Sequence, residues 1–173
     1  MAKHAYNQQH SEFPDVEVTC AHATQQAQRA GKALAQAEAI CRAHGARLTP
    51  IRRKVLEALY ATHKPLGAYD LAEILGPKGR RLAPITVYRA LDFLIEQGLA
   101  HRLASQNAYI ALPNSHDDKA VAFLICENCG GVDELASPDL SATFSNLLGQ
   151  QDFQANNYVL EITGRCSHCR DTQ

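Results

Sequence analysis

Residues 84–97 read PITVYRALDFLIEQ, a segment with the 3.6-residue repeat of an amphipathic helix. Its apolar stripe, which can dock on a small core, consists of Val87, Ala90, Leu91, Leu94 and Ile95. The other face carries Thr86, Arg89 and Phe93, with Tyr88 beside them. An arginine and a hydroxyl in the first turns of a docked helix are typical of a recognition helix in a major groove. An ordinary amphipathic helix with a solvated polar face explains the same pattern, so the flanking segments must decide.

The charge of the chain is unevenly distributed. Over 173 residues, of which 46% are hydrophobic, the net charge is only -1, which argues against a uniformly basic nucleic-acid binder. Residues 29–102, however, hold 13 Lys and Arg against 6 Asp and Glu, whereas the remainder holds 4 against 12. The basic part is therefore the candidate for phosphate contact.

The six cysteines point to metal or redox chemistry. No apolar run approaches the length of a membrane span, and the N-terminus lacks the apolar core of a signal peptide, so we expect a cytoplasmic protein. Because that compartment is reducing, structural disulfides are disfavoured and the thiols are candidates for metal binding or redox reactions.

The residues before the quoted segment predict a flexible arm and three helices. Residues 1–28 are polar and without a usable period, which predicts the arm. The first helix covers residues 32–44. The second begins after Thr49, a natural N-cap that Pro50 follows at the first helical position. The third covers residues 67–75 and is expected to bury its apolar residues: Leu71, Ile74 and Leu75.

Two short strands follow the quoted segment. Residues 99–103 and 109–112 form apolar runs separated by a polar turn, which predicts a hairpin. Four helices, the last of which is the candidate recognition helix, followed by a hairpin, indicate a winged helix-turn-helix. We place this domain at residues 29–112.

The C-terminal part reads as a small α+β unit. A polar break at residues 113–120 predicts a hinge, and residues 121–173 form the second domain. Ser137 is the expected N-cap of a helix between its second and third strands, with an apolar stripe of Leu140, Phe144, Leu147 and Leu148. Such a unit buries little area alone, so a second copy of the chain is the expected partner, as a homodimer. The predicted fold class is α/β of the α+β type, a winged helix followed by a dimerisation domain.

Two cysteine pairs carry the strongest chemical signal. Cys126-x-x-Cys129 and Cys166-x-x-Cys169 each direct two thiolates at one ion, and together they complete the closed four-sulfur set of a structural zinc site. The alternative is a pair of redox dithiols, which would require a pair at the start of a helix in a βαβ context.

A second metal site is predicted between the domains. His101 begins the wing, His116 and Asp117 lie in the hinge, and Glu134 lies in the dimerisation unit. One ion held by these four residues would tie the two domains together. Imidazole and carboxylate ligands suit zinc, and also iron or manganese.

With these elements placed, the sequence resembles the ferric uptake regulator (Fur) superfamily, and within it the zinc uptake regulator (Zur) branch. The resemblance covers roughly residues 32–170. Its strongest motifs, besides the cysteine pairs, are Leu34-Ala35-Gln36-Ala37-Glu38, Arg47-Leu48-Thr49-Pro50, Ala68-Tyr69-Asp70-Leu71, Thr86-Val87-Tyr88-Arg89-Ala90-Leu91-Asp92-Phe93-Leu94 and Phe123-Leu124-Ile125-Cys126.

The resemblance implies a homodimer that binds palindromic operator DNA when metal is bound and represses zinc uptake genes. It implies a structural zinc ion on the four cysteines and a sensing site on His101, His116 and Glu134, where Asp117 could replace His116. The residues expected at the DNA are Arg47, Arg52, Tyr69, Thr86, Tyr88 and Arg89. No membrane, small-molecule substrate or enzymatic activity is expected.

One position departs from the pattern of the Zur branch. Its members commonly place a cysteine of the sensing site just after the second wing strand, where this chain has Leu112. A member of the superfamily that senses iron, manganese or peroxide is therefore an alternative. A cytosolic dithiol redox enzyme is an alternative of another class.

Overall fold

The computed structural model of the chain describes residues 21–77, 80–112, 120–156 and 158–171. Within these residues an α+β fold is formed, which confirms the predicted class. The helices and strands in chain order are α1 Ala21–Ala43, α2 Pro50–Tyr60, α3 Ala68–Ile74, α4 Pro84–Glu96, β1 Ala100–Leu103, β2 Ala108–Ala111, β3 Ala120–Cys126, β4 Val132–Ala136, α5 Pro138–Gly149, β5 Tyr158–Gly164 and α6 Ser167–Asp171.

Helix α4 docks on the N-terminal core as its apolar repeat predicts. Val87, Leu91 and Leu94 are fully buried, together with residues of α1, α2 and α3. Two residues of α4 differ from the prediction: Phe93, expected on the outward face, is only 9% exposed, and Ile95, expected in the core, is 37% exposed. The Arg52 guanidinium of α2 lies 3.4 Å from the centroid of the Phe93 ring and covers it, which accounts for the low exposure of Phe93.

Helix α3 shows a second departure. Leu71 is fully buried as expected, but Ile74 is 57% exposed, so its prediction as a core residue was wrong. Seven residues give barely two turns, and only the side facing α2 and α4 reaches the core. The carboxylate of Asp70 accepts a hydrogen bond from the Gly67 N–H at 2.9 Å, which caps the helix start.

Helix α1 begins earlier than the sequence indicates. The first helix was expected from residue 32, whereas α1 starts at Ala21, so residues 21–28 of the predicted arm are helical. Residues 1–20 of the predicted arm lie outside the described residues. The early turns are rich in alanine and glutamine, which are good helix formers but produce no apolar stripe, so a search for periodicity misses them.

The wing is the antiparallel pair of β1 and β2, in a register from Ala100 opposite Ala111 to Leu103 opposite Ala108. Asn107 in its turn has a φ of 49°, and its side-chain oxygen accepts a hydrogen bond from the Arg102 guanidinium at 2.7 Å. Leu66, between α2 and α3, exchanges two backbone hydrogen bonds with Tyr109, at 2.8 and 2.9 Å. The wing is therefore attached to the helical core through β2.

The C-terminal sheet has the order β4-β3-β5, with β3 antiparallel to β4 and parallel to β5. The Ser137 side chain accepts a hydrogen bond from the Asp139 N–H at 3.2 Å, which confirms the predicted N-cap of α5. No residue of α5 is buried, however. The stripe of Leu140, Phe144, Leu147 and Leu148 therefore does not form a core within one chain, because the three-stranded sheet is too small to cover it.

A second apolar cluster joins the wing to the C-terminal sheet. Leu103 of β1 packs with Phe123 and Ile125 of β3, and all three side chains are buried. Ile110 and Leu112 of the wing pack against the same cluster. The two domains of one chain thus share a small core at the wing. Among the described residues, no helix has the length and apolar content to cross a membrane.

Candidate metal centre and nucleic-acid interface

The four paired cysteines converge at one end of the C-terminal sheet. Cys126 is the last residue of β3 and lies opposite Gly164, the last residue of β5, so the parallel pairing brings the two cysteine segments side by side. Gly130 has a φ of 70°, a conformation that suits glycine, and lets the chain turn back after the first pair. Cys169 lies in α6, a short helix that the sequence did not predict.

The geometry of the four sulfurs fits one zinc ion. All four Sγ atoms lie within 4.8 Å of one another. A tetrahedral zinc site with bonds of about 2.3 Å has sulfurs about 3.8 Å apart, so only a small contraction is needed. Backbone N–H groups already point at the sulfurs, with Gly131 N–H donating to Cys129 Sγ and Cys166 N–H to Cys126 Sγ, each at 3.4 Å. Such donors stabilise thiolates, the form that binds metal.

The pKa values of Cys126 and Cys129 shift in opposite directions. Burial raises the pKa of Cys126, but hydrogen bonds from the backbone outweigh it and lower this pKa to about 6. Burial raises the pKa of Cys129, and the neighbouring sulfurs raise it further. Four crowded thiolates cannot coexist without a compensating cation, which a divalent metal supplies.

The redox alternative fits the geometry less well. Cys166-x-x-Cys169 does lie at the start of a helix, the position of a redox dithiol. Its sulfurs face the first pair, however, and Cys126 and Cys169 are buried, at 3% and 5% exposure. Reactive dithiols need an accessible thiolate. All five described cysteines are free thiols.

The predicted interdomain site is partly described. His101 is half-buried and stacks on the Phe123 ring, with centroids 4.5 Å apart and an angle of 24°. Glu134 is the strand partner of Phe123, so both side chains project from the same face of the sheet. His116 and Asp117 lie outside the described residues. Two of the four predicted ligands thus flank one phenylalanine, one from each domain.

Burial shifts the pKa values of two side chains at the predicted interdomain site, His101 and Tyr60. Burial lowers the pKa of His101, an effect that the nearby charge of Glu161 opposes. A low pKa favours the neutral imidazole, the form that binds metal. Burial and the charge of Glu134 raise the pKa of Tyr60 to about 12, and the Tyr60 hydroxyl donates a hydrogen bond to the Leu112 carbonyl at 2.8 Å. In the described part of the chain, only the four cysteines form a converged group of three or more potential ligands.

Leu112, at the position where the Zur branch commonly has a cysteine ligand, lies in apolar surroundings. Its side chain is half-buried and packs against the cluster of Leu103, Phe123 and Ile125. Its N–H donates to the Leu99 carbonyl at 3.0 Å. The position therefore strengthens the apolar contact between wing and sheet.

One charged residue at this interface was not predicted. The Glu161 carboxylate of β5 accepts hydrogen bonds from two backbone N–H groups of the wing turn, Ala104 at 2.7 Å and Ser105 at 3.0 Å. No motif marks Glu161. The only available signal was its place in strand β5, and the pairing of β5 with β3 is not readable from the sequence.

The residues predicted to contact DNA differ in their availability. Arg89 of α4 is exposed, and Tyr69, the second residue of α3, is 63% exposed. Among the described residues Arg89 makes no side-chain hydrogen bond or ion pair, so its guanidinium is available to a ligand. Thr86 and Tyr88 are half-buried in the first turns of α4.

Two arginines near α2 form contacts within the chain. Arg47 is exposed before α2, and its carbonyl accepts a hydrogen bond from the Arg52 guanidinium at 2.8 Å. Because Arg52 also covers the Phe93 ring, its first role is to hold α2 against α4. For all six residues expected at the DNA, which are Arg47, Arg52, Tyr69, Thr86, Tyr88 and Arg89, the role in DNA binding stays a prediction.

The fold and the site define a class: a winged-helix protein whose second domain carries a four-cysteine metal centre. The family model described as "Ferric uptake regulator family" matches residues 43–163, and the chain belongs to this family. It is 37% identical to the zinc uptake regulation protein of Escherichia coli (strain K12) over 142 residues, which cover 81% of this chain and 82% of that protein.

Solved structures also relate the chain to zinc uptake regulators. The chain is similar to a zinc uptake regulator complexed with zinc and DNA, with a TM-score of 0.74 at 35% identity, over 82% of this chain and 95% of that one. It is also similar to the holo form of XcZur, with a TM-score of 0.70 at 38% identity, over 79% of this chain and 96% of that one. The predicted family and its zinc uptake branch are confirmed.

Proposed function

We propose that this protein is a zinc-responsive transcriptional repressor that binds palindromic operator DNA as a homodimer and represses zinc uptake genes. The observation that carries the proposal is the recognition helix α4, which presents the exposed Arg89, without a side-chain partner among the described residues, from a domain docked on a metal-binding domain. The similarity to a zinc uptake regulator complexed with zinc and DNA supports zinc as the signal and DNA as the partner.

DNA recognition is assigned to α4 and the start of α3. A recognition helix contacts base edges through its N-terminal residues, where Thr86 and Arg89 lie. Tyr69 extends from α3 beside it and suits contact with a phosphate or a thymine methyl group. The surplus of basic residues in this domain supplies the attraction to the duplex.

The homodimer is supported by the apolar surface that one chain leaves uncovered. Helix α5 has no buried residue, and Leu147 is 52% exposed. On the sheet beside it, Leu124, Leu135 and Ile162 are 38%, 44% and 48% exposed. Several large apolar side chains on one small domain favour burial against a second copy, as family membership also implies.

We assign two roles to zinc. The four cysteines would hold a structural ion, which cross-links the ends of β3 and β5 and so contributes to the stability of the C-terminal domain. A second, regulatory ion is proposed on His101 and Glu134 with the hinge residues His116 and Asp117. Because His101 belongs to the wing and Glu134 to the sheet, binding to both favours the arrangement in which the domains are docked.

The sensed metal is the part of the proposal that most needs a test. The described ligands of the regulatory site are nitrogen and oxygen, which also suit iron and manganese, so sensing of those metals or of peroxide is the second candidate. We propose a cytoplasmic location, in keeping with the free thiols, and expect no enzymatic activity.

The proposal is tested by DNA binding as a function of buffered free metal. The purified dimer is treated with a mild chelator that leaves the four-cysteine ion in place, which metal analysis verifies. Operator DNA is first selected from a random pool with the zinc-loaded protein. Affinity is then measured with zinc, iron(II) and manganese(II), with a scrambled duplex as the control. We expect zinc to act at the lowest free concentration. Binding that ignores all three metals would refute metal-responsive repression.

A further inference from the structure

Glu161 lies in a row of three side chains across the C-terminal sheet. Phe123 of the central strand is paired with Glu134 on one side and with Glu161 on the other. Directly paired residues project from the same face of a sheet, so the two carboxylates flank the fully buried Phe123 ring. This face is the one on which His101 of the wing stacks.

The Glu161 carboxylate holds the wing turn by its backbone. One oxygen accepts a hydrogen bond from the Ala104 N–H at 2.7 Å and the other from the Ser105 N–H at 3.0 Å. Burial raises the pKa of Glu161, but the hydrogen bonds from Ser105 and Ala104 outweigh it and lower the pKa below its usual value. Charge-assisted hydrogen bonds to two adjacent amides fix both the orientation of the wing turn and its distance from the C-terminal sheet.

The wing is joined directly to the recognition helix. The chain passes from α4 through Gly98 directly into β1, and the Leu99 N–H donates to the Leu94 carbonyl at 2.8 Å. Leu103, at the end of β1, is buried in the same cluster as Phe123. Attachment of the wing to the C-terminal sheet therefore fixes the angle between α4 and the dimerisation domain.

We propose that Glu161 is a positioning residue that latches the wing turn onto the C-terminal sheet and thereby sets the orientation of α4 for operator binding. The latch acts in addition to the regulatory metal, since it uses a third strand and backbone donors. It rests on the proposed function. We place the latch in the DNA-competent arrangement, since the chain is similar to a structure that is complexed with zinc and DNA.

The test compares Glu161→Ala and Glu161→Gln with the charge-matched control Glu96→Gln. Glu96 ends α4, is exposed, and makes no side-chain hydrogen bond or ion pair among the described residues. The control is needed because loss of any negative charge strengthens attraction to DNA. Affinity for the selected operator is measured at saturating zinc, beside zinc content and the dimer fraction. Hydrogen exchange at the Ala104 and Ser105 amides reports the latch itself.

We expect Glu161→Ala to weaken operator binding about tenfold, the scale of one hydrogen bond to a charged group. Glu161→Gln keeps an acceptor oxygen and should lose less. Exchange at Ala104 and Ser105 should rise in both variants, with zinc content and dimer unchanged, and Glu96→Gln should match wild type. If Glu161→Ala fails to fold, Glu161→Gln carries the test, because it preserves the shape of the side chain.

Either of two results would overturn the latch: operator affinity of the Glu161 variants equal to that of Glu96→Gln, or unchanged exchange at the wing turn. Failure of the proposed function is distinguishable, because wild type itself would then show no zinc-dependent binding. In that case the exchange measurement still decides whether Glu161 holds the wing.

Discussion

Replacement of Arg89 by alanine removes the exposed guanidinium that α4 presents to solvent. A bidentate contact between arginine and a guanine contributes about 1–3 kcal/mol of discrimination. A homodimer presents Arg89 twice, once to each half of a palindrome, and effects at well-separated positions add approximately. We therefore expect the dimer to lose about 2–6 kcal/mol of operator-binding free energy, which is about 30-fold or more in affinity.

The assay is operator binding at saturating zinc over a range of salt concentrations. Arg42→Ala is the matched control, since it removes the same charge from the end of α1. That end lies at the C-terminal end of α4, where His44 Nδ1 is 3.0 Å from the Gln97 Oε1 atom. Helix α4 has 13 residues and is about 20 Å long, so Arg42 is remote from the first turns of α4.

Base contact and phosphate contact by Arg89 give different signatures. If Arg89 contacts a base, Arg89→Ala weakens operator binding far more than binding to scrambled DNA, and Arg89→Lys fails to restore it because lysine lacks the planar fork. If Arg89 contacts a phosphate, both duplexes are weakened alike and the salt dependence falls by about one unit per arginine. Equal operator affinities of Arg89→Ala and Arg42→Ala would refute the role of α4 as the recognition helix.

Three further predictions concern the metal sites and the domain interface. Cys166→Ser should lower zinc content, thermal stability and the dimer fraction together, because the four-sulfur ion contributes to folding; a variant with all three unchanged would show that the site is misassigned. Glu134→Ala and His101→Ala should abolish metal-dependent DNA binding while the dimer and one zinc ion per chain are retained, as measured by titration with buffered zinc. Tyr60→Phe removes the hydrogen bond to the Leu112 carbonyl and should cost about 1 kcal/mol in denaturant unfolding; a cost of zero would mean that water replaces the hydroxyl.

Much of this protein follows from local patterns in the sequence. The apolar repeat of α4, Pro50 at the start of α2 and the Ser137 cap of α5 are short-range signals, and each marks an element that the structure contains. The spacing within each cysteine pair is also local and directs both thiolates of a pair to one side, whereas the convergence of the two pairs depends on the pairing of β3 with β5. The short-range features among these depend on neighbours within a turn or two of the chain, so the sequence alone determines them.

Contacts between distant segments were decided only by the tertiary structure. Periodicity placed Phe93 outside and Ile95 inside, but the structure buries Phe93 under Arg52 of α2 and leaves Ile95 37% exposed, because the neighbouring elements decide which parts of a helix are covered. Glu161 meets the wing across 57 residues, through strand pairing that no local pattern encodes. The apolar stripe of α5 can be read from the sequence, but within one chain none of its residues is buried. The sequence of one chain therefore does not show what covers this face.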